Sequence, residues 1–120
     1  MTIRRIMPDL HTGSTAATDR HRTFYGLLGF EEVMDMDWVV TMASPANPTA
    51  QISFFTEERT APVVPELSVE VEDVDAVYAA VTARGAEIVR ELRDEEWGVR
   101  RFFVRDPGGR VVNVLTHREG

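Results

Sequence analysis

Apolar and polar positions alternate with two periods along this chain. Leu67, Val69 and Val71 alternate with Ser68, Glu70 and Glu72, the period-two signature of a half-buried strand. Asp73 then offers an N-cap, and Val74, Val77, Tyr78 and Val81 follow at i, i+3, i+4 and i+7, which predicts an amphipathic helix ended by Gly85. Three further strands are predicted over Glu87 to Leu92, Val99 to Arg105 and Arg110 to His117. Asp106-Pro107-Gly108-Gly109 forms the turn between the last two. The first half reads the same way. Ile3 to Leu10 is a strand, and Ser14 to Leu28 is a helix with Ala17, Phe24, Leu27 and Leu28 on its apolar face, stopped by Gly29. Phe30 to Met36, Trp38 to Ala43 and Ala50 to Phe55 are strands. Leu28-Gly29-Phe30-Glu31-Glu32-Val33 precedes Arg84-Gly85-Ala86-Glu87-Ile88-Val89 by 56 positions.

The pattern is therefore strand-helix-strand-strand-strand, twice. It predicts an α+β fold of tandem βαβββ modules, about 3–56 and about 65–118, within one domain of residues 1–120. Thr56 to Pro65, with Pro62 and Pro65, is the linker. One helix covers one face of a four-stranded sheet. Two such modules side by side are expected to form a curved mixed sheet with a concave groove, a setting for a small-molecule site. Val39, Ile52 and Phe54 are apolar residues that a monomer is expected to leave uncovered, which predicts a homodimer.

Composition narrows the chemistry. A 120-residue chain can bury about two thirds of its unfolded surface. No stretch approaches the roughly 20 apolar residues needed to span a bilayer, and Met1 to Leu10 is too charged for a signal peptide. A cytoplasmic location without membrane attachment is expected. The 13 cations are all Arg and there is no Cys, which excludes Schiff-base lysines, disulfides, thiolate metal sites and thiol nucleophiles. Residues 31–96 hold 16 acids against 4 Arg, within a net charge of −7. That field repels nucleic acid and suits a neutral or cationic small molecule. No Gly-x-Ser-x-Gly turn and no Gly-rich phosphate loop is present.

Three segments carry a family resemblance. They are Phe24-Tyr25-Gly26-Leu27-Leu28-Gly29-Phe30, Val71-Glu72-Asp73-Val74-Asp75, and the run from Trp97-Gly98-Val99 through Asp106-Pro107-Gly108-Gly109. Over about Ile3 to Leu115 the sequence resembles the vicinal oxygen chelate superfamily, the glyoxalase/bleomycin-resistance/extradiol-dioxygenase group. The resemblance implies the tandem βαβββ fold. It also implies, in metal-dependent members, His, Glu or Gln ligands at one inward position on the first and last strand of each half. Carried over, those positions fall on Pro8, Gln51, Glu66 and Asn113. Proline has no donor and neutral amides bind transition metals weakly, so no metal and no other cofactor is expected. A divalent metal with an atypical ligand set, His11 being the first suspect, is the alternative. His11, His21 and His117 otherwise read as surface histidines.

Strand parity places Glu66, Ser68 and Glu70 on the face away from Leu67, Val69 and Val71, and it groups Val111, Asn113, Leu115 and His117. Glu66 and Glu70 are also a possible acid-base pair. The candidate ligand-binding residues are Trp38, Gln51, Glu66, Ser68, Trp97 and Asn113, the tryptophans supplying stacking surface; no catalytic residue stands out. The expected function is metal-free binding or sequestration of an aromatic or cationic compound by a homodimer. The alternatives are a metal-dependent lyase, isomerase or dioxygenase, and a non-catalytic dimeric partner module.

Overall fold

The computed structural model describes residues 2–118. Its elements follow the predicted order: β1 (Ile3–His11), α1 (Thr15–Leu27), β2 (Glu31–Asp35), β3 (Val39–Ala43), β4 (Gln51–Phe55), β5 (Leu67–Val71), α2 (Val74–Ala83), β6 (Ile88–Asp94), β7 (Val99–Arg105) and β8 (Val111–His117). The fold is α+β with eight strands in mixed pairing. Neither helix is long and apolar enough to cross a membrane.

The described chain divides into two compact units, residues 7–64 and residues 2–6 with 65–118. β1 thus splits its length, giving its first half to one unit and its second half to the other. In the unit of residues 7–64 the strands run β2-β3-β4-β1, and in the other they run β1-β5-β8-β7-β6. Each unit has one parallel pair, β1 with β4 and β5 with β8, while β2–β3, β3–β4, β6–β7 and β7–β8 are antiparallel.

Local chemistry explains where the helices begin and end. Ser14 Oγ accepts from the Ala17 amide at 3.0 Å and Asp73 Oδ1 accepts from the Ala76 amide at 3.1 Å, satisfying N–H groups that the helices leave unpaired. Gly29 and Gly85 follow the helices with φ of +109° and +77°, a region where a side chain would be strained.

In the second unit α2 packs as its spacing predicts. Val74, Val77, Tyr78 and Val81 meet Val69, Val71, Phe102, Val104, Val112 and Val114 in one core, and Tyr78 meets Phe102 edge-on at 4.9 Å. In the first unit the apolar face assigned to α1 is not the buried one. Phe24, Leu27 and Leu28 are exposed, Leu27 at 82%. The face that meets the sheet carries Thr18, His21 and Tyr25, with the His21 and Tyr25 rings 5.4 and 5.2 Å from Phe54. Residues 18, 21 and 25 are themselves spaced i, i+3 and i+7, so the helical period is right and the stripe is rotated. Aromatic rings with polar atoms cover as much core as leucine does.

Val39, Ile52 and Phe54, expected to lie uncovered, are buried within the unit of residues 7–64. Phe54 and Ile52 join Val40, Met42 and Leu10 on the α1 side, while Val39 and Phe55 sit with Trp38 and Val64 on the opposite side.

Candidate functional site

Each sheet has a second face, turned away from its helix. In residues 65–118 that face carries Ser68 and Glu70 from β5, with Glu66 just before it, and Val111, Asn113, Leu115 and His117 from β8. β7 adds Val99, Arg101 and Phe103. The parity follows from the core, because Val69, Val71, Phe102, Val104, Val112 and Val114 all point to α2. Ser68 is the register partner of Asn113, which is the register partner of Phe103.

Asn113 is only 6% exposed, and its Nδ2 donates to Ser68 Oγ at 3.0 Å. Its Oδ1 is buried with no hydrogen-bond partner among the described residues. A buried acceptor left unpaired costs about 1–3 kcal/mol, so such an atom marks a place where a donor fits.

Two charged groups flank this pair. Glu70 Oε1 accepts from Arg5 Nε at 2.7 Å, and Glu70 Oε2 accepts from His117 Nδ1 at 2.9 Å. Burial alone pushes the Glu70 carboxyl up, but the His117 hydrogen bond and the Arg5 charge outweigh it and hold the group below its ordinary value. Glu95 Oε1 lies 3.0 Å from Arg90 and 3.3 Å from Arg101. The Arg101 guanidinium stands 5.1 Å from the Trp97 ring centroid and 4.8 Å from that of Phe103, cation–π distances on both sides.

The structure separates the candidate residues. Ser68 and Asn113 meet. Glu66 shares their face but sits at its end, its side chain 62% exposed and 4.0 Å from Arg110. Glu66 and Glu70 are not a carboxylate pair, since Glu70 is committed to Arg5 and His117. Trp97 is 42% exposed in the turn before β7, whereas Trp38 is buried against Phe55, their centroids 5.9 Å apart. Gln51 donates its Nε2 to the Pro48 carbonyl at 2.9 Å.

Pro8 requires correction. It shares parity with Leu10, which packs on the α1 side with Val40, Ile52 and Phe54, so Pro8 is not the inward position of β1. Met7 and Asp9 take that place. Asp9 is buried and registered on Ser53, and the Ser53 hydroxyl meets Met7 Sδ at 3.1 Å and Thr41 Oγ1 at 2.6 Å. Counting strand parity back from Leu10 would have shown this. His11 Nε2 lies 3.1 Å from the Thr56 carbonyl, and His21 Nδ1 lies 2.7 Å from the Ala17 carbonyl. Arg5, Glu95 and Arg101 are the residues that strand parity alone did not bring forward.

These donors do not suit a transition metal. Among the described residues no three His, Asp or Glu side chains stand together to hold one. Hydroxyl and amide oxygens such as those of Ser53, Ser68 and Asn113 are weak ligands for such ions.

The sequence profile of the Glyoxalase/Bleomycin resistance protein/Dioxygenase superfamily matches residues 14–114. The chain belongs to that superfamily. Solved structures share the fold of its members. Methylmalonyl-CoA epimerase from Mycobacterium tuberculosis is similar at 19% identity and a TM-score of 0.64, over 98% of this chain and 89% of that one. A glyoxalase/bleomycin resistance protein/dioxygenase superfamily member from Vibrio splendidus 12B01 is similar at 18% identity and 0.62, over 96% and 99%. An NAD-dependent benzaldehyde dehydrogenase from Legionella pneumophila is similar at 13% identity and 0.71, over 94% and 99%. At such identities the likeness concerns the fold, on which members carry different chemistries. No curated protein sequence matches the chain significantly.

Proposed function

We propose that this superfamily member binds a small aromatic or cationic compound without a metal, on the face of residues 65–118 that turns away from α2. The observation that carries the reading is Asn113 Oδ1, a buried acceptor with no partner among the described residues. Such an atom is matched by a ligand N–H or O–H. A cationic N–H donor also agrees with the net charge of −7. Ser68 holds the amide in place, and the buried Phe103 and Leu115 give its surroundings apolar character. Trp97, half exposed at the end of the same unit, supplies a ring for stacking. Glu66 lies at the exposed end of the face and attracts a cation only through water-screened charge.

The metal-dependent alternative finds little support in a donor set of hydroxyls, an amide and a carboxylate already bound by Arg5 and His117. The partner-module alternative draws on a different surface. Phe24, Leu27 and Leu28, at i, i+3 and i+4 of α1, form an exposed apolar stripe, which supports self-association as a homodimer. The test is a thermal-shift screen of aromatic amines and their neutral analogues on chelator-treated protein. A hit that stabilises the wild type and not Asn113→Leu upholds the reading. A hit that appears only after a divalent metal is added contradicts it.

A further inference from the structure

We propose that His117 is a general base on this face, held in its working tautomer by Glu70. The inference rests on the small-molecule reading above and assigns a proton-accepting role at the exposed end of the same face. A carboxylate only accepts hydrogen bonds, so the 2.9 Å contact with Glu70 Oε2 requires the hydrogen on His117 Nδ1. The ring's lone pair is then on Nε2, which has no hydrogen-bond partner among the described residues, on a side chain that is 55% exposed. Glu70 is fixed in turn. Its other oxygen takes the Arg5 Nε–H at 2.7 Å, and its side chain is 13% exposed. A partly buried carboxylate orienting an imidazole whose far nitrogen is open is the arrangement that nucleophile and proton-transfer sites use to prepare a base. His11 and His21 lack it, since their ring nitrogens meet the backbone carbonyls of Thr56 and Ala17.

The groups around His117 are accounted for on every strand of its unit that meets it. Glu70 comes from β5 and Arg5 from β1. Val99, its register partner on β7, is uncharged. Arg118, the next residue, is directed to the Glu95 carbonyl at 2.9 Å and to Asp94 at 3.8 Å. Glu70 thus supplies the charge that stabilises the imidazolium once His117 has taken a proton, and Arg5 keeps Glu70 from turning away. Glu70 is a positioning residue and His117 is the residue that meets the proton. The substrate class is a flat carbon or oxygen acid whose proton reaches Nε2.

The probe is 5-nitrobenzisoxazole, a planar aromatic carbon acid. His117 Nε2 takes the proton from the ring C–H, and that bond's electron pair becomes the new C–N π bond of a nitrile. The N–O bond breaks with its pair on oxygen, releasing a coloured cyanonitrophenolate, and the imidazolium returns its proton to water. No oxidant or metal takes part. The wild type should eliminate at least ten-fold faster than His117→Ala. Glu70→Gln should lose most of that advantage and change the pH profile, while Glu70→Asp should restore part of it. Binding is read separately from quenching of tryptophan fluorescence. Quenching with elimination no faster than in His117→Ala overturns the base assignment and leaves the binding reading intact. An unchanged rate and pH profile in Glu70→Gln overturns the positioning role. Neither quenching nor acceleration counts against the base assignment alone, since this probe has no N–H or O–H for Asn113 Oδ1 and the binding reading is tested with the amines.

Discussion

Arg101 is stacked on Trp97, its guanidinium carbon 5.1 Å from the indole centroid, while its Nε lies 3.3 Å from a Glu95 carboxylate that also receives Arg90. Three charged side chains therefore share a site in which Arg101 and Glu95 are almost fully covered. Removing one member of a buried ion group leaves the others uncompensated, which typically costs about 3–5 kcal/mol. Glu95→Ala should lower the unfolding free energy by roughly 3 kcal/mol in urea titrations. Glu87→Ala, which deletes the exposed partner of Arg105, should cost less than about 1 kcal/mol. Similar losses for the two would show that Glu95 is no more than a surface partner.

Stability should also depend on pH through Glu70. Its folded-state affinity for the proton is lowered, so its contribution is present above the unfolded value of about 4.3 and is lost as pH falls through the lower folded value. The difference in unfolding free energy between wild type and Glu70→Gln should shrink as pH falls below about 4. A difference that does not change between pH 7 and 3 would contradict the ion-paired state.

The two faces of α1 should behave oppositely. Tyr25→Ala removes a ring that packs on Phe54 and Phe30 at 5.2 and 6.0 Å, and should destabilise the chain by about 2–3 kcal/mol. Leu27→Glu changes a side chain 82% exposed and should leave monomer stability within about 0.5 kcal/mol. In sedimentation the wild type should run at twice 13.5 kDa at micromolar concentration, and Leu27→Glu should shift it toward the monomer. A wild type that sediments only as monomer would reject the dimer.

That contrast shows what the sequence discloses and what it withholds. The elements were legible because their signals are local: Ser14 and Asp73 as caps, Gly29 and Gly85 as stops, and alternation along Leu67 to Val71. α1 is the exception, because hydropathy ranks leucine and phenylalanine as buried while the packing uses His21 and Tyr25, whose rings meet Phe54. On β1 the family position was carried to Pro8, one residue off the face shared by Met7 and Asp9. A one-residue slip reverses every side chain of a strand. Ser68 and Asn113 were legible through parity. The Arg5–Glu70 and His117–Glu70 contacts join residues 65 and 47 positions apart, and no spacing along the chain announces them.

The central claim is that Asn113 is kept for a ligand rather than for the fold, and one pair of titrations on Asn113→Leu tests it. Unfolding in urea should show the variant as stable as the wild type or up to about 1 kcal/mol more so, because an unpaired buried acceptor is gone. Calorimetric titration of chelator-treated protein with an aromatic amine from the thermal-shift screen should show affinity falling about five- to ten-fold or more, the loss of one hydrogen bond. A variant that is destabilised by about 2 kcal/mol yet binds the amine as tightly as the wild type would make Asn113 a structural amide and contradict the account.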